Sequence, residues 1–288
     1  MPKLKSLLCF SLIAFFSCFA NNLNLPKLAP AGYNGLTPHD EKVMGAKFYA
    51  YMQARANMVL DPLVLDYINT LGFKLVAASN QPNQHFLFFV VKDNSINAFA
   101  GPGGYVGVNT GLILFAKTEG EFASVLAHEV AHVTERHIAQ SIEAANKGVL
   151  PTAAGIIASI LTGNPALALG GMGLSAQSQV NFTRTNEQEA DHQGTKTLEK
   201  AGFDPEDMAR MFEHMQRVNY DSIGQRIEFL SSHPLTENRI ARAQNQTTFK
   251  KTTHTQNYKY WRRNIDKFVD IQGNIILPTR EQFNAKIR

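Results

Sequence analysis

The stretch TEGEFASVLAHEVAHVTERH, residues 118–137, decides the fold. Thr118 with Glu121 three residues later is a capping box, which opens a helix expected to run to about Asn146. Inside it lies HEVAH, His128 to His132, an HExxH motif. Positions i and i+4 of an α-helix share a face about 6 Å apart, so both imidazoles can reach one Zn²⁺. Glu129 lies beside them, facing a water at the metal. His137, nine residues after His128, falls about 180° around the same helix and is not expected to be a ligand.

Two histidines leave a zinc site incomplete, and a catalytic reading requires a third ligand from elsewhere. NEQEAD, residues 186–191, supplies one on a second helix expected over Asn186 to Ala201 and ended by Gly202. Glu187 and Asp191, four apart, share a face. Glu187 completes a His₂Glu set, and Asp191 takes the free ring N–H of a ligand histidine and fixes its tautomer. Ala190 is small enough to let the two helices approach, while Glu189 points away from Asp191 and is expected in solvent. In SSHPLTENRIA, residues 231–241, His233 precedes Pro234 in a loop and Arg239 follows in the next helix. Both are types that stabilise an oxyanion, and a histidine there can also fill the open metal position and hold an enzyme latent.

Outward from this centre, Thr37-Pro38 and Asp61-Pro62 are cap-and-proline start signals for helices to about Arg55 and Ala78. HFLFFVV (85–91) reads as a strand. INAFA (96–100) and YVGVN (105–109), joined by GPGG, read as a hairpin with turn glycines. One of these strands, carrying Ile96, Asn97, Ala98 and Phe99 or Val106 and Val108, is expected at a sheet edge where it can pair with an extended substrate. Residues 148–183 carry no charge before Arg184 but are interrupted by glycine and proline, which fits short buried helices or an apolar flap rather than a membrane span. Another helix is expected from Asp204-Pro205 to about Val218.

The whole chain is 288 residues, 44% hydrophobic and 18% charged, enough apolar material for a sizeable core. Residues 1–20 place Lys3 and Lys5 before an apolar run and end in small residues, the pattern of a secretory signal peptide. Removing it takes both cysteines, Cys9 and Cys18, and lowers the net charge from +4 to +2, so neither a disulfide scaffold nor nucleic-acid binding is expected. Lipid attachment at Cys18 is the alternative fate of that segment. Residues 21–36 then form an extended leader, 37–247 the catalytic domain, and 248–288 a basic tail suited to an anionic membrane face or to strapping across the domain.

HEVAHVTERH, then NEQEAD some fifty residues on, preceded by INAFAGPGGYVGVNTGLI and followed by SSHPLTENRIA, resembles the gluzincin metallopeptidases of the HtpX, Oma and CAAX-prenyl-protease group. It is most similar to their exported bacterial branch, the BepA and LoiP type, from about Thr37 to Ala243. The resemblance implies a mainly α fold with a small antiparallel β-sheet (α+β) beside the active-site helix. It implies Zn²⁺ on His128, His132 and Glu187, with Glu129 as general base, and misfolded or stalled envelope proteins as periplasmic substrates in outer-membrane assembly. BepA-type members carry a helical-repeat domain, and no tandem helix-pair pattern occurs in this sequence, so docking through such repeats is not expected of it. The alternative from another class is a chaperone-like binding protein with a structural or vestigial zinc; structural zinc sites are usually rich in cysteine.

Overall fold

The computed structural model describes residues 36–146, 182–221 and 227–245. The expected signal peptide, Cys18, most of the leader, nearly all of the apolar stretch 148–183 and the basic tail lie outside these residues. Among the described residues the elements are α1 (Pro38–Arg55), α2 (Pro62–Ala78), β1 (Leu87–Val91), β2 (Ala98–Ala100), β3 (Tyr105–Asn109), α3 (Thr110–Phe115), α4 (Glu119–Thr134), α5 (His137–Asn146), α6 (Arg184–Lys200), α7 (Glu206–Asp221), α8 (Phe229–Ser232) and α9 (Glu237–Asn245).

The start signals act as side-chain caps. Thr37 accepts from the Asp40 N–H, Asp61 from those of Leu63 and Val64, and Thr118 from that of Glu121, each satisfying donors that an α-helix leaves open at its N-terminus. Helix α4 is the centre of the molecule: every residue from Glu119 to Thr134 is buried. It packs against α6 over much of its length, and against α2, α7 and β2. Phe122, Leu126 and Val130 are wholly enclosed, each contributing about 1.5–3 kcal/mol by its removal from water.

The sheet is mixed, in order β1-β3-β2, rather than purely antiparallel. The expected hairpin is present as β2/β3, but β1 joins parallel to β3. The other edge of β1 is covered by the segment after α1, through Val59 N–H to Val90 O and Lys92 N–H to Asn57 O. With the far edge of β1 covered, the hairpin adds on its near edge through β3, which leaves β3 in the middle. Alternation then divides the side chains between two faces. Phe88, Val90, Val106 and Val108 enter the main core with α2 and α4, whereas Phe89, Val91, Phe99 and Tyr105 pack with Phe48 and Met52 of α1. The central position of β3 corrects the expectation for Val106 and Val108: they are core residues of an interior strand and cannot pair with a substrate. Strand β2 is the edge.

The helix expected to run unbroken to Asn146 divides after Thr134. Arg136 lies in the left-handed region at φ 59°, which restarts the chain as α5 in a new direction. Its guanidinium binds the Glu41 carboxylate and the Leu36 carbonyl, so contacts with the start of α1 hold a conformation that no glycine marks in the sequence.

Candidate metal centre

Helix α4 presents His128 and His132 one turn apart, and α6, packed across it, presents Glu187. The crossing is close because Gly194 of α6 lies on the α4 backbone: a Cβ there would stand 3.2 Å from His128 N and 3.3 Å from Ala127 C. Ala190, fully buried one turn earlier, serves the same contact, as its small size suggests. Gly194 is a contributor that sequence reasoning missed, although it continues the Glu187–Ala190–Asp191 face by one turn.

His128, His132, Glu187 and His233 each offer a ligand atom within 4.8 Å of the others, and all four residues are buried. His128 Nε2 is 3.0 Å from His132 Nε2, 3.3 Å from His233 Nδ1 and 3.6 Å from Glu187 Oε2. Glu187 Oε1 is 3.4 Å from His132 Nε2 and 2.9 Å from His233 Nδ1. A tetrahedral zinc with bonds near 2.0–2.1 Å spaces its ligand atoms about 3.3 Å apart. The residues therefore fit a single ion, with His233 at the fourth corner. Its ring stacks on Phe229 and Phe182.

The electrostatics call for positive charge at this point. Burial works against the Glu187 charge, yet His233 and hydrogen bonds from His128 and His132 hold its carboxyl far below the usual range. Burial also opposes charge on His128, but Asp191 and Glu187 outweigh it and push its pKa up to about 9. Beside it, burial drives His132 well below the ordinary imidazole value. One cation is thus accommodated among the rings, which a dication with ring lone pairs turned toward it can replace.

Asp191 lies where the i+4 spacing puts it, its Oδ1 3.1 Å from His128 Nδ1. Arg239 is buried behind these carboxylates. Its Nε and Nη2 each donate to Asp191 at 2.7 Å, and its Nη1 reaches Glu187 Oε2 at 2.7 Å and the Pro234 carbonyl at 3.0 Å. All three nitrogens of Arg239 are engaged with Asp191, Glu187 and the Pro234 carbonyl, an arrangement suited to holding the two carboxylates in place rather than to meeting an oxyanion.

Glu129 is fully buried, its Oε1 3.5 Å from His233 Nε2. Burial raises its pKa, partly offset by His233 and His128 and by the backbone N–H of Ala100 in β2. The packing of α4 against β2 brings the sheet edge to the site. Pairing of β2 with β3 uses the main-chain groups of Asn97 and Gly101, so those of Ala98 and Ala100 point outward. Ile96 O, on the same outward side, accepts from Phe229 N–H of α8.

His137 and Glu189, set aside by the sequence reading, also lie here. His137 Nδ1 is 3.0 Å from His132 Nδ1, and His137 Nε2 is 3.3 Å from Glu189 Oε2. The 180° placement holds for one continuous helix; the turn at Arg136 swings His137 back onto His132.

The sequence profile of peptidase family M48 matches residues 62–247. The chain is 35% identical over 296 residues to the putative beta-barrel assembly-enhancing protease of Vibrio cholerae, an alignment covering 98% of this chain and 61% of that one. It is 35% identical over 259 residues to the beta-barrel assembly-enhancing protease of Escherichia coli K12, covering 85% and 53%. It is also 33% identical over 175 residues to the mitochondrial metalloendopeptidase OMA1 of Schizosaccharomyces pombe, covering 60% and 50%. The chain thus spans between half and about three-fifths of the length of these curated relatives.

Proposed function

Because the chain belongs to peptidase family M48, we propose that residues 37–247 form a zinc endopeptidase in which His128, His132 and Glu187 hold the ion and Glu129 is the general base. The observation that carries this reading is the near-tetrahedral spacing of the ligand atoms with the Glu129 carboxylate beside them, all out of water. Zinc bound there would act as a Lewis acid on the scissile carbonyl and lower the pKa of a water.

The chain's own groups do the rest. Glu129, its pKa raised by burial, takes a proton from the attacking water and returns it to the leaving amine. Asp191 and Arg239 keep the His128 ring and the Glu187 carboxylate in place. The outward edge of β2 at Ala98, beyond the Ile96 carbonyl that Phe229 N–H already occupies, is where an extended peptide would pair with little sequence preference, next to Glu129. His233 holds the corner that an attacking water needs, so it must leave for turnover, and the resting protein is weakly active. Once displaced, its ring would be available to stabilise an oxyanion.

Names of relatives such as beta-barrel assembly-enhancing protease support misfolded or misassembled envelope proteins as substrates, met in the periplasm after export through residues 1–20. Among the described residues no helix is long and apolar enough to cross a membrane. One observation favours the second reading, a binding protein with a structural zinc: four protein ligand atoms close the site, as in structural zinc centres.

An unfolded outer-membrane β-barrel protein incubated with the zinc-loaded chain tests the proposal. Cleavage that a chelator abolishes and added zinc restores, with one zinc per chain that His128→Ala and Glu187→Ala both lose, is the expected result. Full zinc retention by both variants would remove the ligand assignment.

A further inference from the structure

We infer that His137 and Glu189 form a positioning relay that fixes the tautomer and orientation of the ligand His132. The inference rests on the proposed metal centre and adds two residues to it.

His132 turns Nε2 inward, 3.0 Å from His128 Nε2 and 3.4 Å from Glu187 Oε1, which leaves Nδ1 as its outward nitrogen. An imidazole that gives its Nε2 lone pair to a metal must carry its proton on Nδ1. The atom facing that proton is His137 Nδ1, at 3.0 Å. A hydrogen bond between the two nitrogens needs one donor and one acceptor, so His137 Nδ1 is the acceptor and its own proton sits on Nε2. That proton faces Glu189 Oε2 at 3.3 Å. Every donor in the chain Glu189, His137, His132 then meets an acceptor, and the opposite tautomer of His137 would set two N–H groups against each other.

The two ligand histidines are thereby held in different ways. Behind His128 stands the buried Asp191–Arg239 pair, whereas behind His132 stands a neutral ring that ends on a carboxylate 44% exposed to solvent. The geometry depends on the break in the α4–α5 path, since His137 is the first residue of α5 and follows Arg136 in its left-handed conformation. Its ring is wholly buried and lies beside Phe182, which also stacks on His132, so the relay is sheltered as well as aligned.

Two substitutions separate this role from packing. His137→Phe keeps the ring volume and removes the acceptor, while His137→Asn places an amide oxygen near the position of Nδ1. Outer-shell partners of metal ligands are typically worth 10–100-fold in affinity. In chelator competition with the full chain, His137→Phe is therefore expected to bind zinc about 10–100-fold more weakly than wild type and His137→Asn to recover most of the loss. Nitrogen-edited NMR of the zinc-loaded protein should show His132 protonated at Nδ1 and His137 at Nε2. Zinc affinity of His137→Phe within twofold of wild type, or His137 protonated at Nδ1, would overturn the inference. Should His137→Phe fail to fold, Glu189→Ala decides, because its residue is partly exposed: a loss of about tenfold in zinc affinity supports the relay, and an unchanged affinity removes it. A wild-type chain that binds no zinc would instead sink the metal centre itself, together with everything built on it.

Discussion

Replacing Arg239 by leucine exposes how the charges behind the metal ligands are balanced. The guanidinium makes three contacts of 2.7 Å to two carboxylates, both oxygens of Asp191 and Oε2 of Glu187, and a fourth at 3.0 Å to the Pro234 carbonyl. The side chains of Asp191 and Glu187 are only 8% and 4% exposed, so in Arg239→Leu two carboxylates lose the guanidinium without gaining water and keep only the His128 ring as a cation. Breaking a buried pair in this way costs about 3–5 kcal/mol. Leucine retains part of the packing on Phe212, over whose ring the guanidinium lies, so little of that loss is cavity. Zinc restores a cation beside Glu187 but not beside Asp191, and the loss should fall to about 2–3 kcal/mol in the loaded protein. The pH dependence has a definite sign. Burial works against the Asp191 charge, but Arg239 and His128 hold its folded pKa below the ordinary 3.8. Its contribution in the wild type is therefore complete above about pH 4 and is lost as pH falls through the lowered value. In the variant, Asp191 keeps only His128 against the burial penalty, so its carboxyl titrates higher than in the wild type and this stabilisation shrinks. The difference between the two proteins should be largest near neutrality and shrink toward pH 4. Urea unfolding with chelator and with zinc, at pH 7 and pH 4.5, measures it. A loss below about 1 kcal/mol in chelator at pH 7, or one independent of pH, would refute the buried-pair reasoning.

Gly194→Val forces a branched side chain against the α4 backbone and should cost about 1–3 kcal/mol while weakening zinc binding, because it pushes Glu187 off His132; thermal melting and zinc titration check both, and a stable variant with wild-type affinity would show the helix crossing to be loose. His233→Ala opens the fourth corner and, if latency dominates, should increase cleavage of an unfolded substrate; if oxyanion stabilisation dominates, kcat should fall by about 10². Steady-state kinetics decide between the two, and unchanged kcat and KM would take His233 out of the mechanism. Ala98→Pro removes an outward N–H from β2 without touching the bonds to β3, so it should raise KM several-fold with zinc content intact; unchanged KM in a folded, loaded variant would move the substrate elsewhere.

Much of the site was legible because it is local. A capping residue, a proline at the first turn and an i,i+4 pair act within one helix, so α1, α2, the His128–His132 face and the Glu187–Asp191 face could be read from spacing alone. What escaped depends on partners distant in sequence. The division between α4 and α5 has no glycine or proline to announce it; Arg136 is held left-handed by Glu41 and Leu36, about a hundred residues earlier. His137 is no member of the ligand group and Glu189 does face solvent, as the spacing indicates, but the contact of His137 with His132 and Glu189 depends on that turn and is not visible in the sequence. Likewise the hairpin could be recognised from its glycines, but which of its strands pairs with β1 is a long-range choice, and of the two candidate edges it leaves β2 outside and the strand of Val106 and Val108 in the middle. Arg239 was found by its type and place in the motif, while its true direction, toward Asp191 and Glu187, is a property of how α9 meets α6.

The most direct test of the account compares zinc-loaded wild type with zinc-loaded Glu129→Gln on an unfolded outer-membrane β-barrel protein. The account predicts that wild type cuts the substrate, while Glu129→Gln keeps one zinc per chain and loses about 10²–10⁴ in kcat, since a neutral amide cannot take the proton from water. Cleavage by Glu129→Gln at the wild-type rate would contradict the assignment of the base. Intact substrate with zinc-replete wild type and with His233→Ala alike would contradict the peptidase reading itself, leaving a structural zinc in a binding protein.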